Sequence, residues 1–163
     1  MTNTVVVVGN PRLGSRTRRA AELVVERLTG EPPHRVIELA ELGPALLSWD
    51  DPEVAEAKQT VLDTDLLVVA SPVFKASFTG LLKLFLDHFD AGALGGTPTV
   101  PLMLGGSAAH TLAAEVHLKP VLSEIGASCP TPALYLLDVG WETSPVLEAW
   151  LPAARAVLGL GTG

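Results

Sequence analysis

Unbroken apolar runs recur along this chain at Val5–Val8, Leu66–Ala70 and Val100–Leu104. A strand with one wet face alternates apolar and polar positions, so runs without alternation mark strands covered on both faces. His34–Leu39 does alternate and reads as an edge strand, while Leu134–Leu137, held between Pro132 and Asp138, supplies a fifth. Helical patterns fill the intervals at 17–29, 53–62, 79–89, 107–125 and 145–158. This strict alternation predicts an α/β protein, a doubly wound five-stranded parallel sheet whose ligands bind beyond the carboxyl ends of the strands.

Three loops leave those ends. The first strand runs into Gly9-Asn10-Pro11-Arg12-Leu13-Gly14-Ser15-Arg16-Thr17 and then a helix. A glycine- and hydroxyl-bearing turn that opens a helix seats an anion, because the helix start offers unpaired N–H groups and positive dipole. Gly9 and Gly14 have the spacing of a P-loop, but Ser15 stands where its lysine belongs and Arg16 where its hydroxyl belongs. The dinucleotide fingerprint also fails, with two glycines at the wrong spacing. What remains is a seat for a terminal phosphate monoester, with an ordinary tight turn as the plainer alternative.

The second loop, Ser71 to Gly80, offers a stiff apolar surface: Pro72, Val73 and Phe74 can pack on a planar ring, flanked by Lys75 and Ser77. In the third, Gly105 and Gly106 allow close backbone approach and Ser107 opens a helix, an arrangement that suits a heterocycle becoming anionic on reduction. Ser77 or Thr79, and Ser107, are equally readable as helix caps.

Charge sharpens the first loop. Arg12, Arg16, Arg18 and Arg19 are the only charged residues before Glu22, leaving 7 basic against 18 acidic residues in the rest of the chain. Cations at a helix start oppose the macrodipole, and their clustering makes sense around a bound anion. The net charge of −7 argues against nucleic acid or an anionic membrane as partner. One cysteine, Cys129, reads as a small filler and fits a reducing cytoplasm; no apolar run approaches a membrane span. The 163 residues predict one domain over 1–158 with a flexible tail over 159–163.

The first-loop motif, followed by Ser71-Pro72-Val73-Phe74-Lys75-Ala76-Ser77-Phe78-Thr79-Gly80-Leu81-Leu82-Lys83-Leu84-Phe85-Leu86-Asp87, resembles the NAD(P)H-dependent FMN reductases of flavodoxin-like fold. Within that family it is most similar to the reductases that supply reduced FMN to alkanesulfonate monooxygenases, and His110–Leu122 and Pro132–Tyr135 share the likeness. The resemblance implies strand order 2-1-3-4-5, FMN and NADPH or NADH as cofactors, and a flavin-dependent monooxygenase as partner. It implies that Asn10, Arg12, Ser15 and Thr17, in the turn closed by Gly14, hold the FMN phosphate. Pro72, Val73, Phe74 and Lys75 then lie along the isoalloxazine, and Gly105, Gly106 and Ser107 border its other edge. Two departures stand out, Asn10 for a more usual serine and Phe74 for a more usual tyrosine.

A flavin reductase needs no protein nucleophile, which matches a sequence without a triad, a paired-carboxylate site or a metal cluster. His34, His88, His110 and His117 lack ligand spacing on one face, apart from His110 and His117, which lie seven residues apart on one predicted helix and read as a hydrated face, with His110 also a candidate for the flavin rim. Arg18 and Arg19 can attract the extra phosphate of NADPH or be simple solvated charge, and Glu38, at the end of the second strand, reads as surface charge. Leu81, Leu82, Leu84, Phe85, Leu86 and Phe89 make one helix apolar on more than one face, predicting a homodimer or homotetramer, with burial under neighbouring loops as the alternative. A retained-flavin quinone or azo reductase and a flavodoxin-type electron carrier are the competing functions.

Overall fold

The computed structural model describes residues 2–161. Strands β1 (Thr4–Val8), β2 (Arg35–Glu38), β3 (Leu66–Pro72), β4 (Thr99–Gly105) and β5 (Leu134–Leu137) form one parallel sheet in the order β2-β1-β3-β4-β5. Val6 lies opposite Val36 on one side and Val68 on the other, so β1 is bonded along both edges.

Successive side chains leave a strand on opposite faces. Val5 and Val7 therefore join Leu67, Val69, Met103 and Tyr135 on one face, while Val6 and Val8 join Val68, Ala70, Leu102, Leu104 and Leu136 on the other. The first face is covered by α2 (Leu39–Leu42), α3 (Pro52–Leu62), α4 (Gly80–Leu86) and α5 (Lys119–Glu124), and the second by α1 (Arg16–Thr29) and α6 (Pro145–Leu158). Burying each valine is worth roughly 1.5–3 kcal/mol. All four of β1 are buried, which holds that strand at the centre of both layers.

Local chemistry sets the helix ends. Ser15 caps α1 by accepting from the Arg18 N–H, and Gly30 closes it in the left-handed conformation at φ 81°. Asp51 caps α3 ahead of Pro52, and Thr79 caps α4 by accepting from the Leu82 N–H.

The structure departs from the sequence reading in two places. The helix expected over 107–125 is a 3-10 turn (Ala108–His110), a π-turn (Ala114–Leu118) and then α5. Pro120 has no N–H to give the Val116 carbonyl and crowds it, and the Lys119 N–H reaches back five residues to Ala114 O. The second departure is α2 with the 3-10 turn Gly43–Leu47, too short and too broken by Gly43-Pro44 to show a period.

That 3-10 turn also bears on α4, whose apolar residues the sequence reads either as a subunit interface or as buried under neighbouring loops. Leu82, Phe85, Leu86 and Phe89 are buried within the chain, packed in one cluster with Leu46. His88, itself buried, donates through Nε2 to Leu46 O at 2.9 Å and packs against Trp49 at a tilt of 46° with ring centroids 4.5 Å apart. The surplus apolar face of α4 is thus covered by the chain's own turn, and among its leucines only Leu84 is exposed, with Leu81 half-buried.

At the carboxyl end, Gly159 takes φ 68° and Leu160 donates its N–H to Arg155 O and packs beside the α6 face; Thr162 and Gly163 of the expected tail lie outside the described residues. Among the described residues no helix is long and apolar enough to cross a membrane.

Gly9, just past β1, marks the closest approach between the sheet and α4. A Cβ there meets Leu82 Cβ at 2.7 Å. Gly9→Ala is therefore expected to cost about 1–3 kcal/mol of stability, read as a lowered urea midpoint at unchanged slope.

Candidate functional site

The carboxyl ends of β1, β3, β4 and β5 open onto a cleft of about 390 Å³, inside the ~300–1,000 Å³ range of small-molecule and cofactor sites. Its first wall is the loop after β1, contributing Asn10, Pro11, Arg12, Ser15, Arg16 and Thr17. Pro72, Val73 and Phe74 form the second wall, with Leu104, Gly105, Gly106 and Asp138 opposite. A larger groove of about 470 Å³ between Leu86, Phe89, Val121 and Ile125 is mainly apolar, and its one cation, Lys83, is paired with Asp87 at 2.6 Å. It lacks the converging donors of the cleft.

The first loop is pinned from inside by Asn10. Its Oδ1 accepts from the Arg12 N–H at 2.9 Å and its Nδ2 donates to Thr17 Oγ1 at 3.0 Å. Ser15 and Thr17 are buried beneath it. The N–H groups of Ser15, Arg16 and Thr17 have no acceptor among the described residues, leaving the first turn of α1 with open donors at its positive end.

The arginines divide by partner. Arg16 donates to Asp138 O at 2.9 Å, with Asp138 Oδ2 at 3.7 Å, bridging the cleft from α1 to the end of β5. Arg18 is held by Glu22 at 3.1 Å and Glu38 at 2.6 Å; hydrogen bonding, first from Glu22 and then from Glu38, raises its pKa above the ordinary arginine value. Arg12 lines the cleft, and its guanidinium has no acidic partner among the described residues. Glu38 is no surface charge: it is 4% exposed and also accepts from the Gly14 N–H at 2.9 Å.

The second wall is tied to the first before either loop departs. Thr79 Oγ1 donates to Gly9 O at 2.6 Å, and the Thr79 N–H donates to Ser71 Oγ at 3.1 Å. Beyond Phe74 the chain reverses in a two-residue turn closed by Phe74 N–H to Ser77 O at 2.8 Å and its reciprocal at 3.2 Å. Lys75 (φ 52°) and Ala76 (φ 64°) both take the left-handed conformation, at a cost of about 1–2 kcal/mol each. The turn holds Phe74 exposed at the mouth.

The third wall has no room for a side chain at Gly105. A Cβ on Gly105 would collide with the Tyr135 hydroxyl and come within 2.9 Å of Val73 Cγ2. Tyr135 Oη in turn donates to Ser107 O at 2.6 Å, locking the loop after β4.

Of the twelve residues singled out from sequence, nine line the cleft: Asn10, Arg12, Ser15, Thr17, Pro72, Val73, Phe74, Gly105 and Gly106. Gly14, Lys75 and Ser107 do not. Gly14 turns its N–H to Glu38, Lys75 sits in the strained turn, and Ser107 caps the 3-10 turn by accepting from the Ala109 N–H at 3.2 Å. Thr79 is a helix cap as well, as its alternative reading had it. Sequence reasoning missed Pro11, Leu104 and Asp138 as lining residues, and Arg16, named there only within the basic cluster, lines the cleft as well. Asp138 follows β5 directly, so the strand-end rule that found the other loops also covers it. Cys129 is half-buried, and burial pushes its thiol up to about 11, far from nucleophilic use.

A parallel sheet of order 2-1-3-4-5 with an anion-ready helix start at its switch point defines the flavodoxin-like class. The sequence profile of the NADPH-dependent FMN reductases matches residues 2–142, and the chain belongs to that family. The FMN reductase (NADPH) of Escherichia coli (strain K12) is 36% identical over 129 residues, covering 76% of this chain and 66% of that protein. The NADH-dependent FMN reductase SfnF of Pseudomonas fluorescens (strain Pf0-1) is 36% identical over 171 residues, covering 97% and 91%. Against the FMN reductase (NADPH) of Pseudomonas putida the match spans 40% of that protein, so the chain spans less than two thirds of the length of the Escherichia coli and Pseudomonas putida reductases. The apo crystal structure of NADH:FMN oxidoreductase (EMOB) superposes with a TM-score of 0.84 at 31% identity, covering all of this chain and 92% of that one.

Tyr135 is the only tyrosine of the chain. Burial raises its phenol above the ordinary value of 10, and the Asp138 charge adds to the rise. The fold holds this proton more tightly than the unfolded chain, so the contribution is complete below pH 10 and is lost as pH climbs through the raised folded value. A phenolate absorbance titration is expected to show one transition above pH 10, and Tyr135→Phe to flatten the alkaline loss of stability.

Proposed function

We propose that this chain is an NAD(P)H-dependent FMN reductase, built as one FMN-binding domain over residues 1–158 and working in the cytoplasm. The observation that carries the reading is the first turn of α1: its open N–H donors stand beside Arg12, whose guanidinium has no acidic partner among the described residues. That donor set fits a phosphate monoester, and the adjoining Pro72–Phe74 surface fits a flat ring.

Asn10, Arg12, Ser15 and Thr17 hold the phosphate, and Gly14 lets the loop turn. Pro72, Val73 and Phe74 support one side of the isoalloxazine, with Lys75 at its margin. Gly105 and Gly106 border the other edge, backed by Ser107. When bound, FMN supplies the N5 position that accepts the hydride of NADPH or NADH. The chain contributes orientation, a dry apolar wall, and amide dipoles near the ring edge where negative charge develops. No side chain has to donate or take a proton to fulfil that role.

Reduced flavin then passes to a monooxygenase partner, a role supported by the two long motifs that resemble alkanesulfonate-linked reductases. Association into dimers or tetramers is part of the proposal, with exposed Leu84 at its margin.

Steady-state oxidation of NADPH and NADH with FMN, FAD, a quinone and an azo dye as acceptors tests the reading. Turnover with free FMN supports it. Tight flavin retention without turnover on any acceptor replaces it with an electron carrier. Arg12→Ala is expected to raise the Kd for FMN by about tenfold or more, the worth of one charge-assisted hydrogen bond, as read by quenching of flavin fluorescence.

A further inference from the structure

Glu38 presents a problem of placement. Its carboxylate is 4% exposed and lies behind the loop that the proposed function assigns to a phosphate. Burying an unpaired carboxylate costs several kcal/mol, and a negative charge there also opposes a bound anion. The bonding pattern resolves both difficulties. Oε1 accepts from the Gly14 N–H at 2.9 Å, and Oε2 accepts from Arg18 Nη1 at 2.6 Å.

We propose that Glu38 is a positioning residue for FMN binding: together with Arg18 it forms a brace, built on the end of β2, that fixes the amides of residues 15–17 for the flavin phosphate. The proposal rests on the FMN reading given above.

The geometry supplies the reason. Gly14 adopts φ 61°, yet nothing lies within 4 Å of where its Cβ would be. The glycine is there for its backbone angle, and the Glu38 carboxylate is what holds that angle by claiming the N–H. With the Gly14 amide turned toward β2, the next three residues start α1 and line the cleft. Asn10 pins the first half of the loop in the same manner through the Arg12 N–H, so the loop is clamped at both ends. Arg18 does not line the cleft; its charge is spent on Glu38 and Glu22. The brace therefore adds shape to the site and no free cation, and the phosphate charge is left to Arg12 and the amides.

The test compares FMN with riboflavin, which shares the ring and ribityl chain but has no phosphate, by fluorescence quenching on the full chain. Glu38→Ala is expected to weaken FMN about tenfold or more while riboflavin affinity stays unchanged. Arg18→Met, which strands the carboxylate, is expected to weaken FMN alone, and Glu38→Gln in the Arg18→Met background to recover most of the loss. Should Glu38→Ala not fold, that double variant against Arg18→Met carries the comparison. Equal loss of FMN and riboflavin in the folded variants, or FMN binding as tight as in the unaltered chain, overturns the positioning role. An unaltered chain that binds neither flavin overturns the FMN reading itself, a result separate from any effect at Glu38.

Discussion

Because β1 is bonded along both edges and packed on both faces, the chain has one way out of the sheet at that point, and it lies at Gly9. The ladder extends one residue further, with the Gly9 N–H on Ala70 O at 2.8 Å, and Thr79 takes the Gly9 carbonyl. The anion loop and the ring-supporting loop are therefore joined through the sheet before either begins to turn. Their spacing is set by strand register, which is stiff, and not by loop conformation, which is soft. Everything the cleft can do depends on that rigid joint.

Much of this was legible in the chain because the signals were local. Unbroken Val5–Val8 announced a doubly covered strand, and all five strands lie where runs of that kind or the alternating His34–Leu39 segment put them. Nine cleft-lining residues followed from a simple rule about carboxyl ends of parallel strands. The failures were long-range. Nothing in the segment ending at Glu38 says that its carboxylate will be buried against Gly14 and Arg18, 24 and 20 residues away in sequence. Likewise, nothing local in α4 says that the 3-10 turn at Gly43–Leu47 lies over its buried apolar residues. Pro120, by contrast, was visible, but its effect on a helix that continues by widening to a π-turn was not.

The site also shows where this fold accepts local strain. Lys75 and Ala76 both sit in a conformation that glycine would adopt at lower cost, in the turn that presents Phe74. The energy lost there is small beside the burial that anchors β3 and α4 on either side, so the turn keeps its shape because its ends are fixed.

Gly105 has a different consequence. Its backbone is wedged between the only tyrosine and Val73, so a side chain there has to displace two walls at once. The floor of the cleft is consequently closed to gradual remodelling by substitution at this position. Any descendant of this chain that welcomes a bulkier or differently shaped guest must change the outer lip, where Phe74, Arg12 and the Arg16–Asp138 bridge face solvent and can be exchanged at little expense to the core.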